Sequence, residues 1–255
     1  MIEVISMWYN EEFLAPFFLD HYSWADKIII LLDADTDDGT EQLIKMAPNA
    51  RYEYFTFPNM MDDDLKAAEL NARYRRTESD WVLFVDADEF IYHPEMPVPE
   101  FLQTVPNDLV TVIFYQVYRH ITDDNLTYSK PVLMQRRHGD PNVWEGVNGK
   151  YRKPCVAKQG LPFRWGPGCH SLGGPDAVEY MEKAITVPLF GAHWLNADPC
   201  FCVERRVKGR RDRQSRNNLR KGLTSHQHGI TKESVLAECK AHENDPIVIC
   251  STYQS

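Results

Sequence analysis

Three carboxylates within four positions, Asp86, Asp88 and Glu89, follow directly on the apolar run Trp81-Val82-Leu83-Phe84-Val85. A continuous run of aromatic and β-branched residues predicts a strand buried on both faces, as in a parallel sheet. In an open α/β sheet, ligands sit beyond the carboxyl ends of the strands. The three carboxylates are therefore placed where a ligand would lie. They are charged and only accept hydrogen bonds, so they suit a hard divalent cation such as Mg²⁺ or Mn²⁺, which in turn holds a phosphate. They also read as an ordinary acidic turn, since short acidic motifs arise by chance.

The flanking sequence predicts elements that would position these groups. Residues 2–8 read as a first strand. Phe13 to Tyr22 reads as a short amphipathic helix, with Asn10 as its cap and Glu11 and Glu12 favouring its first turn. Lys27 to Leu32 is a second apolar strand ending in the turn cluster Asp33-Ala34-Asp35-Thr36-Asp37-Asp38-Gly39-Thr40, followed by a helix from about Glu41 to Met46. Tyr52 to Phe57 is a third strand, Asp62 to Glu78 a helix, and the strand ending at Asp86 comes next. This alternation predicts an α/β fold with a mostly parallel sheet and helices on its faces. No G-x-G-x-x-G or G-x-x-x-x-G-K-[ST] loop follows any strand, so dinucleotide and P-loop readings lose their main support. Leu109 to Tyr118 is a further strand, 119–192 is rich in loops and turns, and the tail from Pro199 is charged and helical.

With 255 residues, 43% of them apolar and 12% aromatic, the chain can build one large α/β domain with a C-terminal extension. Mean hydropathy is -0.46, and no run approaches the roughly 20 apolar residues needed to span a bilayer. Strand-like sequence begins at Ile2 with no basic leader, which predicts a cytoplasmic protein. The six cysteines are read as free thiols, because Cys200-Phe201-Cys202 lacks a second pair to complete a zinc site. A net charge of -9 excludes bulk affinity for nucleic acid. The charge is uneven, however. From Glu204 to Lys221 nine basic residues face two acidic ones, giving +7 and leaving -16 on the rest. That asymmetry points to an anionic partner for the segment.

Four pieces now fall in a recognisable order at strand ends: Tyr9-Asn10-Glu11, Asp33 through Gly39-Thr40, Asn71 in the helix before the motif strand, and Asp86-Ala87-Asp88. Together they resemble the family 2 glycosyltransferases of the GT-A fold. Asp20-His21-Tyr22 and the form Trp81 to Phe90 resemble short enzymes that build bacterial surface polysaccharides. Gly191-Ala192-His193-Trp194 resembles that subgroup's His-aromatic motif, and Arg205 falls where a basic residue follows it. The chain departs from the family at Thr36-Asp37, where Ser is usual before the Asp-Gly-Thr. The resemblance implies a GT-A domain over 1–198, with a nucleotide-sugar half (1–95) and an acceptor half (96–198), followed by a basic helical extension (199–255).

The resemblance also implies roles. The donor would be a nucleotide sugar, most often a UDP-sugar, and the acceptor a saccharide or a lipid-linked one. Asn10, Glu11, Asp33, Asn71 and Asp86 would bind the nucleotide, although Asp33 also reads as a turn former. Asp88 would ligate Mn²⁺ or Mg²⁺, with Asp86 reaching the metal through water or holding the ribose, and His193 would complete the shell or contact the diphosphate. His170, in a Gly-rich turn, is the alternative ligand. Arg205, with Lys208 as a second candidate, would offset diphosphate charge. The remaining basic residues, Arg211 and Arg213 among them, read as solvated surface or as a face for an anionic lipid, giving a peripheral membrane contact through 205–221. Transfer with inversion needs a carboxylate to take the acceptor proton, and Glu145 beside Trp144 is favoured over Asp140.

Two other classes compete. A nucleotidylyltransferase would want a basic Gly-rich loop after the first strand, where this chain has acidic Tyr9-Asn10-Glu11-Glu12. A non-catalytic sugar- or nucleotide-binding module would use the carboxylates to hold a structural Ca²⁺.

Overall fold

The computed structural model describes residues 1–57, 60–140, 152–184, 189–222 and 229–249. In chain order the elements are β1 (Ile2–Trp8), α1 (Ala15–His21), β2 (Lys27–Asp33), α2 (Thr40–Met46), β3 (Ala50–Phe55), α3 (Asp63–Tyr74), β4 (Trp81–Phe84) and β5 (Glu89–Tyr92). There follow α4 (Val98–Thr104), β6 (Leu109–Tyr118), α5 (Val132–Gln135), β7 (His138–Gly139), β8 (Arg152–Lys158), β9 (Arg164–Trp165), β10 (Leu172–Gly173), α6 (Ala177–Ala184), β11 (Leu189–Asn196), α7 (Pro199–Val203), α8 (Arg216–Lys221) and α9 (Lys232–Ala241).

One sheet runs β3-β2-β1-β4-β8-β6-β11-β5, with β7 on the side of β6. From β3 to β4 every pairing is parallel. β8 then runs antiparallel to both β4 and β6, β11 lies parallel to β6, and β5 closes the edge antiparallel to β11. The parallel half follows from composition: β2 and β4 are apolar almost throughout and buried on both faces. β3, on the edge, alternates with exposed charge instead. Strand order reverses between β1 and β4, and the crevice above such a switch point is where open α/β sheets take ligands.

Helix ends show which local signals decide. Asp62 caps α3, accepting from the N–H groups of Asp64 (3.0 Å) and Leu65 (3.2 Å). Asn10 does not cap α1, contrary to the sequence reading. That helix begins after Leu14 without a side-chain cap, and Asn10 adopts a left-handed φ of 51°. Its side chain works elsewhere, as described below.

The aromatic core under the site is built by α1 and the β5–β11 edge. Trp8, Phe18, Phe90 and Trp194 pack edge to face or tilted, with centroids 5.1 Å apart for Trp8–Phe18 and 5.4 Å for Phe90–Trp194. The Tyr22 hydroxyl donates to the Glu89 carbonyl at 2.8 Å and accepts from the Ile91 N–H at 2.9 Å. His21 Nε2 lies 2.9 Å from the Ile91 carbonyl. His21 and Tyr22 thus pin the strand that follows the carboxylate turn. Among the described residues, no helix is long and apolar enough to cross a membrane, and Cys155, Cys169, Cys200, Cys202 and Cys239 are free thiols.

Candidate active site

A cleft of about 1820 Å³ opens above the carboxyl ends of β1 and β4, with Tyr9, Asn10, Glu11, Asp86, Glu89, His193, Arg205, Arg210 and Arg213 in its lining. Two loops form one wall. Asn10 and Asp37 bond reciprocally: the Asn10 amide donates to the Asp37 carboxylate at 2.7 Å, and the Asp37 N–H donates back at 3.0 Å. Glu11 N–H donates to Thr40 Oγ1 at 2.8 Å, and Glu12 N–H to Asp38 Oδ2 at 3.1 Å. Gly39 packs against the Glu12 side chain, where a Cβ would stand 2.4 Å from the carboxylate and push that exposed side chain aside.

The turn after β4 forms the floor. Asp88 is fully buried. Its Oδ2 accepts from Arg210 at 3.1 Å and lies 3.2 Å from Arg205 Nε and 3.4 Å from His193 Nε2. Burial opposes its charge, but the two guanidinium groups and His193 overcome this and hold the carboxyl well below its ordinary range. Its backbone carbonyl accepts from Trp194 N–H at 2.7 Å, which ties β11 to the turn. His193 Nδ1 meets Gln116 Nε2 at 2.6 Å, so the ring is oriented from both sides.

Asp86 lies behind Asp88 with different partners. Lys66 from α3 and Lys153 from β8 (3.2 Å) both pair with it, and Lys153 also pairs with buried Glu89. The lysines outweigh burial and lower the Asp86 carboxyl. Glu11 pairs with Arg205. Burial nevertheless pushes the Glu11 carboxyl up to about 7, because Arg205 is shared with Asp88, whose own charge adds to the rise. At the far end, Asp33 is buried and its Oδ2 accepts from Arg213 at 2.8 Å. The Arg213 guanidinium lies 3.3 Å from the centroid of the Tyr9 ring.

The fold therefore brings Asn10, Glu11, Asp86, His193 and Arg205 into the lining of one cleft, with Asp88 and Asp33 buried directly behind its arginines. His193, rather than His170, contacts Asp88; His170 lies at the rim. Asn71 is not brought to the cleft. Its amide donates to the carbonyls of Ala67 (2.6 Å) and Trp165 (2.9 Å) and accepts from Trp165 N–H (2.9 Å), stitching α3 to β9. Asp140 follows β7, with its N–H 3.3 Å from the Gln116 carbonyl, and is not part of the cleft lining. Glu145 lies outside the described residues. Lys208 pairs with Glu204 on the surface at 2.8 Å.

The basic run is not uniformly a solvated face. Arg205, Arg210 and Arg213 turn inward onto carboxylates, whereas Arg216, Arg220 and Lys221 face out. Sequence reasoning missed Arg210 and Arg213 as cleft residues, and it had no signal for Lys66, Lys153 or Gln116. Lys66 and Lys153 stand in an ordinary helix and strand.

Residues 4–169 match the glycosyl transferase family 2. The chain belongs to this family. No curated protein matches it. Solved structures similar to this family 2 chain include TarS of S. aureus, 12% identical over 94% of this chain, with a TM-score of 0.42. The chain spans 43% of that TarS chain. A shorter TarS chain solved with UDP is 10% identical, over 95% of this chain and 87% of its own length, at a TM-score of 0.43. Glucosyl-3-phosphoglycerate synthase from Mycobacterium tuberculosis, solved with Mn²⁺, UDP and phosphoglyceric acid, is 22% identical over 46% of this chain and 43% of its own, at 0.33.

Whether this family 2 domain can take a divalent cation is tested by its donor atoms. Asp88 Oδ1 is buried and has no hydrogen-bond partner, and the His193 ring lies beside the same carboxylate. A carboxylate oxygen and an imidazole fit Mg²⁺ or Mn²⁺. Among the described residues no group of three or more His, Cys, Asp or Glu could hold a metal ion. The remaining ligands would therefore come from phosphate and water, as is common for Mg²⁺.

Proposed function

We propose that the protein transfers a sugar, with inversion, from a nucleotide-sugar donor, most plausibly a UDP-sugar, to a saccharide or lipid-linked acceptor in surface polysaccharide synthesis. The observation that carries this is the placement of Asp33, Glu11, Asp86 and Asp88 at the ends of three adjacent parallel strands, with Glu11, Asp86, Arg205 and Arg210 lining one cleft and Asp33 and Asp88 buried directly behind its arginines. Asp33 and Tyr9 bind the base, by hydrogen bonding and by stacking. Asn10, locked to Asp37, sets the wall beside the ribose. Asp88 and His193 would hold Mn²⁺ or Mg²⁺, which supplies Lewis-acid neutralisation of the departing diphosphate. Lys66 and Lys153 hold Asp86 ionised and fixed. Arg205 and Arg210, both beside Asp88, offset the growing charge of the diphosphate. Proton removal from the acceptor hydroxyl falls to a carboxylate in the segment beginning at Asp140, with Glu145 favoured. The segment 204–213 carries arginines to the site, and the outward basic residues of the extension offer a face to an anionic membrane.

The test is hydrolysis and transfer measured on a panel of UDP-, GDP- and dTDP-sugars with Mn²⁺ or Mg²⁺. Metal-dependent sugar release from one donor supports the reading. Release of pyrophosphate from a sugar phosphate and a nucleoside triphosphate would replace it with nucleotidyl transfer. Binding without turnover of any donor, with acceptors present, would leave only a binding module.

A further inference from the structure

Arg213 occupies the part of the cleft that the proposed function assigns to the nucleobase. Three features of its guanidinium match a base: it is planar, it lies against the Tyr9 ring at 3.3 Å, and it donates to Asp33 Oδ2 at 2.8 Å. That is van der Waals contact, so no second planar group fits between Arg213 and Tyr9. The approach to Asp33 is occupied as well. Asp33 is fully buried, its Oδ1 accepts from the Asp35 N–H at 3.1 Å, and Arg213 covers and bonds its Oδ2, so a base reaches this carboxylate only where the guanidinium now lies.

The backbone at Arg213 is fixed independently of this contact. Met61 N–H donates to the Arg213 carbonyl at 2.9 Å, and Ser215 N–H donates to the Met61 carbonyl at 3.0 Å. Ser215 Oγ donates to Asp62 at 3.0 Å, and Asn218 accepts from the Asp63 N–H at 3.0 Å. The anchor ties the chain to the start of α3, so the arginine side chain can leave Asp33 while the backbone stays in place.

We propose that Arg213 is an internal occupant of the nucleotide pocket, which a nucleotide must displace in order to bind. The inference rests on the nucleotide reading of Asp33 and Tyr9. It reverses the sign that a basic residue in a diphosphate site ordinarily carries: removing Arg213 strengthens nucleotide binding. Part of the gain comes from Asp33, which is left buried without its cation and is satisfied again by a bound base.

The experiment titrates UDP into the full chain by calorimetry, comparing wild type with Arg213→Ala, Arg213→Gln and Arg211→Ala. Arg211 pairs with Asp212 at 2.7 Å and with the Ile230 carbonyl at 2.8 Å, so it controls for loss of charge in the same segment. Arg213→Ala should bind UDP about tenfold more tightly, the scale of a partly buried ion pair together with a cation–π contact. Arg213→Gln should fall between, and Arg211→Ala should match wild type. In thermal denaturation, unliganded Arg213→Ala should melt below wild type and show the larger upward shift with UDP. Equal or weaker UDP binding by both Arg213 variants, with wild type binding normally, would overturn the inference and leave the nucleotide reading standing. If neither wild type nor the variants bind UDP, the nucleotide reading falls and takes the inference with it.

Discussion

Asp88→Asn is the substitution whose consequences differ most between sequence and structure. Seen from sequence, Asp88 lies beyond a strand, so losing it should spare the fold and remove only ligand binding. In the structure it is fully buried and gathers Arg205, Arg210 and His193 within 3.4 Å. Asparagine keeps the shape but removes the charge, leaving Arg210 with no carboxylate at that position while Arg205 keeps Glu11. Removing one partner of a buried pair costs about 3–5 kcal/mol, mostly the penalty of the stranded charge. The surviving Glu11 contact places this case near the lower end, about 3 kcal/mol. For a chain of this size each kcal/mol moves the melting temperature by about 2–4 °C, so a fall of roughly 6–12 °C is expected. Calorimetry in chelator-treated buffer, without nucleotide, isolates this from any ligand effect. The double variant with Arg210→Ala should recover part of the loss, because the stranded cation is gone. A melting temperature within about 1 °C of wild type for Asp88→Asn, or strictly additive losses in the cycle, would refute the charge argument.

Glu11→Gln should change how stability depends on pH. A carboxyl raised to about 7 binds its proton more tightly in the folded than in the unfolded chain. Its contribution is therefore fully present below the unfolded value of 4.5 and is lost as pH climbs to about 7. Subtracting the variant's melting curve from that of wild type should show a fall confined to that window, and parallel curves would contradict it. Asn71→Ala should cost about 1–3 kcal/mol in urea denaturation, since both backbone groups of buried Trp165 lose their partner; UDP affinity should not change, and a selective loss of affinity would restore Asn71 to the nucleotide site. Gly191→Ala should destabilise by about 1–3 kcal/mol, because its Cβ would stand 2.3 Å from the Phe114 ring, itself buried in the core. A Phe114→Leu background should relieve that loss, which is checked by the same denaturation.

The parallel half of the sheet was legible because its evidence is local. Ile28 to Leu32 and Trp81 to Val85 are apolar without interruption, as strands covered on both faces are. Leu109 to Tyr118 was read with the bounds the structure gives it. The antiparallel pairings were not legible. β8 lies between β4 and β6, strands 25 residues or more apart in sequence, and nothing in Arg152 to Lys158 names its neighbours. Asn10 shows the limit of a local rule. As a residue before a helical pattern it satisfies the preference for a cap, but a reciprocal pair of hydrogen bonds to Asp37, 27 positions away, competes for the same side chain and holds it. Asn71 likewise shows that position within a motif does not fix where an amide points.

The arginines were hidden for a geometric reason. Read as an α-helix, the run from Glu204 places residues five apart about 140° from each other around the axis. Arg205 and Arg210 then fall on different faces, and the segment reads as charge distributed all round. Residues Glu204–Arg210 instead form a π-helical turn, in which residues i and i+5 are hydrogen-bonded neighbours. That wider turn puts Arg205 and Arg210 on one side, and both reach Asp88 Oδ2, at 3.2 and 3.1 Å. A short 3₁₀ turn, Arg211–Arg213, then tightens the chain and delivers Arg213 to Asp33. Two changes of helical pitch within ten residues thus turn part of a basic run inward: Arg205 and Arg210 share Asp88, Arg205 also meets Glu11, and Arg213 meets Asp33. Arg206 pairs with Glu238, and any affinity for an anionic surface belongs to the exposed Lys208, Arg216, Arg220 and Lys221.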